Sequence, residues 1–330
     1  MNALPSNSST QLLANPLIAP IQKRLDNFRQ QSRVNASSLI ISVFSDAVFP
    51  RGGCIWLGSL IGLLAPLQLN ERLIRTSVFR LAKETWLCAE AHGRRADYRL
   101  TATGQRRIED ASRHVYAANA PLWDRRWRLI MTIGELDPKQ RERLQRALFW
   151  QGFGALNSDC YVHPSADLGL AFDALMTEGN ADLLAHLMPL LAADLHFGLS
   201  ASVHEMVKRA WDLTQLGRDY ADFLTVYQPT LAALRDDQLS EVDEESAFLL
   251  RTLLIHDYRR LLLRDPELPE VLLPADWPGQ QARLLCKELY RRLLAASERH
   301  LDKHLTLASG TTPQVRALLA ERFQNQDPLN

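Results

Sequence analysis

Arg72, Arg75, Thr76, Arg80 and Lys83 lie in "NERLIRTSVFRLAKE", residues 70–84, at spacings that put them on one side of a helix. Taking about 100° per residue from Arg72, these five and Phe79 fall within an arc of roughly 140°. Ile74, Val78, Leu81 and Ala82 share the opposite side over roughly 100°. The chemistry open to such a row is recognition of a polyanion. Arg bonds a guanine edge bidentately, Thr contacts bases or a thymine methyl, and Lys suits phosphates. A merely solvated face would mix signs for internal pairing, yet none of the helix's acids falls in this arc. Asn70 is placed to cap the helix through its side-chain oxygen, with Glu71 at the positive end of the dipole. Arg94 and Arg95, in "HGRR", add cations at a turn, suited to phosphates or a minor groove. Phe79 sits among the cations; it packs under a neighbouring element or touches apolar DNA surface, and the residues alone do not decide which.

Other chemistry is thin. "GFGALN", residues 152–157, lacks the third glycine and follows a helix, so a dinucleotide fingerprint fails. "SGTTP", residues 309–313, has no Gly-Lys-Ser/Thr and is no phosphate loop. There is no GxSxG elbow. His300 and His304, with Asp302 between them, stand at metal-ligand spacing, but no third ligand is evident and an exposed helix end is the plainer reading. Glu135 and Asp137 invite a nuclease reading, though Asp137 before Pro138 reads better as a helix cap. No catalytic residues, metal or cofactor are therefore expected. The competing class is an enzyme acting on acyl-CoA or nucleic acid, with the basic helix as scaffold; it would need a nucleophile or metal centre.

The elements that hold the basic row follow in a recognisable order. "SSLIISVFSDAVF" predicts an apolar helix opened by Ser caps and ended by Pro50 and "RGG". "LGSLIGLLAPL" predicts a second, short helix, and the basic helix is the third. "WLCAEAHGRRADYRLT" predicts two strands around "HGRR", and "ATGQRRIEDASRHVYAA" returns to helix. Three helices, a hairpin and a helix make the order of a winged helix-turn-helix. After "NAPLWDRRW" comes βαβα order, namely "RWRLIMTI", "DPKQRERLQRALFWQGF", "DCYVHPS" and "DLGLAFDALMTEG", expected to form a ferredoxin-type α+β sandwich. From about Ala201 the chain reads as helices, interrupted at 264–279 by a proline-punctuated connection. The expected division is a flexible arm at 1–36, a winged helix at 37–120, a ferredoxin-like middle at 121–200 and a helical domain at 201–330. Residues 1–12 are Ser- and Asn-rich and expected to be disordered; a short helix is expected from Leu17 to Gln31.

Charge agrees with that division. The 330 residues carry no net charge, but residues 1–115 hold 15 Lys/Arg against 8 Asp/Glu and the remainder holds 23 against 30. One end is thus suited to a polyanion. Cys54, Cys88, Cys160 and Cys286 lack CxxC spacing and read as reduced thiols of a cytoplasmic protein. No basic-then-apolar export signal is visible. Residues 52–70 are uncharged, but Pro66, Gln68, Asn70 and their glycines break them into turn, helix and turn rather than a membrane span.

Several long blocks resemble PaaX-type transcriptional repressors: "SLIISVFSDAVFPRGGCIWLGSLIGLLAPLQLNERLIRTSVFRLAKETWL", "GRRADYRLTATG", "WDRRW", "WQGFGAL" and "LLIHDYRRLLLRDPELPEVLLPADWPG". They occur in matching order from about residue 38 to 295. The resemblance implies control of phenylacetic acid catabolism by a homodimer that binds a palindromic operator and is released by phenylacetyl-CoA. It implies a winged helix, a Cas2-like ferredoxin domain and a C-terminal helical domain. Three positions depart from the family pattern: Thr85 where Gly is usual, Cys54 where Glu is common, and Asp97 where an aromatic is common. Asp97 would place a negative charge near phosphate.

A CoA ester would need Arg or Lys for its phosphates and an apolar slot for its phenyl group. His256, Tyr258, Arg259 and Arg260, with Trp277 nearby, supply both kinds. Neighbouring arginines point about 100° apart on a helix, so only one readily faces a pocket. A helix packing Leu253, Leu254 and Leu261 under arginine cover is the alternative. Trp127 and Arg128, with Trp123, form a second candidate at the expected domain junction.

Overall fold

The computed structural model describes residues 18–177, 179–195, 201–235, 242–315, 319 and 322–324. The stretch expected to be disordered, 1–12, lies outside them. The chain divides into two compact units. The first comprises Met1–Ala118, Asp222–Arg259 and Gln281–Asn330, and the second Asn119–Ala221 and Arg260–Gln280. The C-terminal helices expected as a separate domain are thus shared out between the two.

The first unit begins with α1 (Ile18–Arg29). The described part of the expected flexible arm holds this helix, in keeping with the short helix expected from Leu17 to Gln31, and the helix is docked: Ile21, Leu25 and Phe28 are buried, and Arg24 pairs with Asp257 at 2.5 Å. Helix α2 (Ala36–Val43) is capped by Asn35, whose Oδ1 accepts from the Ser38 amide, rather than by the serines. Its end widens into a π-helical turn, Phe44–Val48, and a tighter one, Phe49–Arg51. Then come β1 (Cys54–Trp56), α3 (Leu57–Leu64), α4 (Glu71–Lys83), β2 (Leu87–His92), β3 (Arg95–Leu100) and α5 (Ala102–Val115). The sheet order is β1-β3-β2, all antiparallel. Strand β1 has three residues, too few to show alternation, and sequence periodicity misses it. His92 pairs with Arg95, so Gly93 and Arg94 alone make the hairpin turn, and Gly93 takes the positive φ such a turn demands. Gly104 is required by contact, because a Cβ there would meet the Trp86 carbonyl at 2.2 Å.

Thr85, between α4 and β2, has φ 60°, the left-handed conformation that glycine adopts freely. A branched side chain costs roughly 1–2 kcal/mol there, partly offset by glycine's greater unfolded-state entropy. Thr85→Gly is expected to stabilise the first unit by roughly 0.5–1 kcal/mol, read as a rise in unfolding midpoint. A lowered midpoint would show that the Thr85 hydroxyl, which donates to the Glu84 carbonyl, contributes more than the strain.

Asp46, delivered inward by the π turn, organises the core of this unit. Its carboxylate accepts from Arg251 Nε at 2.7 Å, Arg322 Nη1 at 2.7 Å, Tyr116 Oη at 2.7 Å and Tyr290 Oη at 3.0 Å. Burial would raise this carboxyl, but the guanidiniums of Arg251 and Arg322 outweigh it and hold it below the usual range. Arg251 continues to Glu298, which also pairs with Arg51 at 2.7 Å. The helices carrying these partners are α10 (Glu244–Leu262) and α11 (Gly279–His304).

The second unit contains β4 (Arg126–Thr132), α6 (Pro138–Phe149), β5 (Gly154–Asn157), β6 (Cys160–His163), α7 (Leu168–Thr177) and β7 (Leu187–Ala193). The order is βαββαβ, not the expected βαβα; β5 and β7 are the additions. The strands lie β5-β6-β4-β7, all antiparallel. Asp137 caps α6 in a reciprocal capping box with Gln140. One face of the sheet carries Ile130, Leu144, Leu148 and Leu175; the other carries Trp127, Val162, Trp211 and Leu268. Helix α8 (Val203–Ala210) supplies Val207 to that second face. Helix α9 (Thr214–Arg235) follows and passes through Pro229.

Candidate nucleic-acid interface

Helix α4 divides as its sequence predicts. Ile74, Ser77, Val78 and Leu81 are buried, while Asn70, Arg72, Arg75, Thr76, Arg80 and Lys83 are exposed. Asn70 caps the helix through Oδ1 to the Arg72 amide at 2.8 Å. Phe79 is 69 % exposed, so it is not packed under the hairpin. The cations are not wholly without acids. Arg75 pairs with Glu71 at 2.6 Å, and Arg80 lies 4.0 Å from Glu84. Both pairs are solvent-exposed and worth at most about 1 kcal/mol, so a phosphate can displace them. Among the described residues the side chains of Arg72, Lys83 and Arg94 make no ion pair.

Arg80 also donates to Ser37 Oγ, which ties α4 to the first turn of α2. Beside this link Val34, Asn35, Leu73, Thr76 and Ser77 line a cleft of about 290 Å³. Residues 34–37 gave no basic or motif signal, and only the fold brings them to the cationic face.

Arg94 and Arg95 are both exposed at the hairpin tip, and Arg95 is also tied to the chain's own C-terminal segment. Arg95 donates to the Ala308 carbonyl at 3.1 Å and its guanidinium lies 4.8 Å from the Trp56 ring centre. Asp97 is 4 % exposed and accepts from the Ala308 amide at 2.7 Å. It therefore faces the chain's own C-terminal segment, not a phosphate. That segment runs alongside the sheet: Trp56 donates to the Thr306 carbonyl at 3.0 Å, and Ser59 Oγ to the His304 carbonyl at 2.6 Å. Residues 304–308 thus form a strap that fixes β1, β3 and α3.

The effector candidates separate. His256 is buried with Nδ1 3.1 Å from Ser42 Oγ, and Tyr258 is a fully buried core ring. Arg259, also in the first unit, is 7 % exposed and has no hydrogen-bond or ion-pair partner among the described residues. In the second unit Arg260 is exposed, and Trp277 packs edge-on against Tyr220 at 5.7 Å. Trp127 is buried against Trp123 at 5.3 Å, and Arg128 is spent on Asp124 and the Pro164 carbonyl, each at 2.7 Å. His300 is not on an exposed end; it is buried and stacked on Phe248. Among the described residues no group of three or more His, Cys, Asp or Glu could hold a metal, and no helix is long and apolar enough to cross a membrane.

Three family profiles match the chain in order: PaaX-like protein over residues 35–104, PaaX protein central Cas2-like domain over 120–187, and PaaX-like protein C-terminal domain over 211–303. The chain belongs to the PaaX family. It is 37% identical over 305 residues to the transcriptional repressor PaaX of Escherichia coli, covering 91% of this chain and 95% of that one. Among solved structures, an uncharacterized protein of Mycobacterium tuberculosis matches with a TM-score of 0.50 at 22% identity, over 79% of this chain and 98% of that chain. That likeness speaks to fold alone.

Proposed function

We propose that this chain is a cytoplasmic transcriptional repressor of phenylacetate catabolic genes. It reads a palindromic operator as a homodimer through a winged helix-turn-helix, and phenylacetyl-CoA releases it. In this reading α2, α3 and α4 are the helices, with α4 in the major groove, and β2–β3 are a short wing presenting Arg94. The middle βαββαβ segment is a ferredoxin-like domain. The observation that carries the reading is the exposed cationic face of α4 set on an apolar underside. Similarity to a repressor supports a regulatory rather than an enzymatic role.

A single reading helix contacts too few bases for genomic specificity, so two helices bind half-sites about 34–36 Å apart or a multiple of that. Inducer binding favours a geometry that breaks this spacing; typical couplings of about 1–3 kcal/mol give a 5- to 150-fold loss of affinity. Arg75→Ala and Arg80→Ala are each expected to lower operator affinity by roughly 1–3 kcal/mol if they contact bases. Fluorescence anisotropy on labelled operator measures this, and the salt dependence counts phosphate contacts. Undiminished binding by both variants would remove α4 from the interface. Phenylacetyl-CoA, phenylacetate and CoA added to the same complex test the inducer; indifference to all three would reject it.

A further inference from the structure

One cation of α4 stands apart from the rest of its row. At about 100° per residue Arg80 lies roughly 80° round the helix from Arg72, at the margin of the exposed arc, with Leu73 just beyond it at roughly 100°. There α4 meets α2. Arg80 donates to Ser37 Oγ, and beside this link opens the cleft of about 290 Å³. Against the roughly 30 Å³ that one water claims in the liquid, a phosphate group fits there with room to spare. The lining is rich in donors and holds no carboxylate. Asn35 spends its Oδ1 on the Ser38 amide, which leaves its side-chain NH2 to donate. Ser37 Oγ accepts from Arg80 and keeps its own proton for a further bond. Arg33, exposed and without an ion pair among the described residues, adds a cation just before Val34 in the chain. The acid that Arg80 meets, Glu84, lies 4.0 Å away in an exposed pair that a phosphate can displace.

A cluster of donors with one guanidinium suits an acceptor that carries several oxygens and a negative charge. Its place decides which acceptor. The cleft borders the exposed face that holds Arg72, Phe79 and Lys83, so a duplex laid on that face brings its sugar–phosphate strand, not its base edges, to the seam between α2 and α4. We propose that this cleft seats one backbone phosphate of the bound DNA in each subunit, gripped by Arg80 and flanked by donors from Asn35 and Ser37. Ser37 holds the guanidinium in place before the duplex arrives, which leaves less side-chain freedom to lose on binding. Phosphate contacts fix register and orientation but carry no sequence information. Arg80 is then a positioning residue, and base reading falls to the rest of the row. The proposal rests on the duplex-binding reading of α4 above, and it adds to that surface two residues that no basic signal marked.

Anisotropy titrations of the full chain on operator and on a duplex of unrelated sequence test it. Arg80→Ala is expected to weaken both by the same factor, about tenfold, and to lower the salt slope by about one per subunit. Asn35→Asp keeps a good helix cap, so it should melt no lower than wild type, yet it sets a negative charge in the cleft and should weaken both duplexes. Replacing operator phosphates one at a time by uncharged methylphosphonates locates the seat: one position in each half-site should weaken wild type and leave Arg80→Ala unaffected. The proposal is overturned if Arg80→Ala loses affinity for operator alone, as a base reader would, or if Asn35→Asp binds both duplexes as wild type does. It is overturned equally if no single methylphosphonate separates wild type from Arg80→Ala. Should Arg72→Ala and Arg75→Ala leave operator binding unchanged while Arg80→Ala weakens both duplexes, the base-reading role of α4 fails and the phosphate seat stands.

Discussion

Asp46→Ala is expected to cost the first unit about 3–5 kcal/mol, the range for removing one partner of a buried ionic set. The carboxylate answers Arg251 and Arg322, whose side chains are 1% and 7% exposed, and it receives both phenols of Tyr116 and Tyr290. Alanine would leave the Arg322 guanidinium without its counter-charge, Arg251 with Glu298 alone, and the two hydroxyls without their carboxylate acceptor. Asp46→Asn keeps the shape and an acceptor oxygen but loses the charge, so it should fall between alanine and wild type. Denaturant unfolding followed by tryptophan fluorescence measures both variants. A cost below about 1 kcal/mol for alanine would mean that water reaches the cluster and screens it. Replacing Asp46, Arg251 and Arg322 together with apolar residues should recover part of the loss, because it removes the charges along with their partner.

Lowering the pH from 7 to 4 is expected to cost the second unit about 3 kcal/mol through His163 alone. The imidazole is buried; its Nδ1 accepts from the Ser165 and Ala166 amides at 3.0 and 2.7 Å. Burial, opposed in part by the Pro266 carbonyl, pulls its pKa down to about 4 from the ordinary 6.5. Above pH 6.5 neither state binds the proton and stability is complete. Between 6.5 and 4 the unfolded chain takes up a proton that the folded one refuses, so each pH unit removes about 1.4 kcal/mol. Below 4 both states are protonated and the loss stops growing. Carboxylates and His300 titrate in the same experiment, so the comparison is with His163→Gln. That variant should be less stable at pH 7 but lose about 3 kcal/mol less on acidification. Parallel curves for the two proteins would show that the ring is protonated within the fold.

The basic helix could be read from residues 70–84 because its information is local: a cap, a cationic arc and an apolar arc each follow from spacing. The hairpin was legible for the same reason, with Gly93 marking its turn. Elements lacking periodicity were not. Strand β1 is too short, and β5 with its glycine and β7 with Pro189 carry weak strand signals. The site residues divide along the same line. Arg72 and Arg75 keep the exposed positions their spacing implies, whereas Asp97 is buried and both it and the exposed Arg95 bond Ala308, more than 200 residues away in the chain. Arg259 and Arg260 are adjacent in sequence, yet one is buried and the other exposed, a contrast that only the surroundings of α10 determine. Long-range partners are the information a single sequence withholds.

The strap and the Asp46 cluster also bear on how the chain is made. Synthesis proceeds from the N-terminus, but Asp46 waits for residues 205 and 276 positions later, and Ser59 for one 245 positions later. The segment that carries the basic helix is translated early and completed last. Such distant closures fold slowly. A nascent or prematurely terminated product that stops short of Thr306 has a hairpin without its strap and an Asp46 cluster without Arg322.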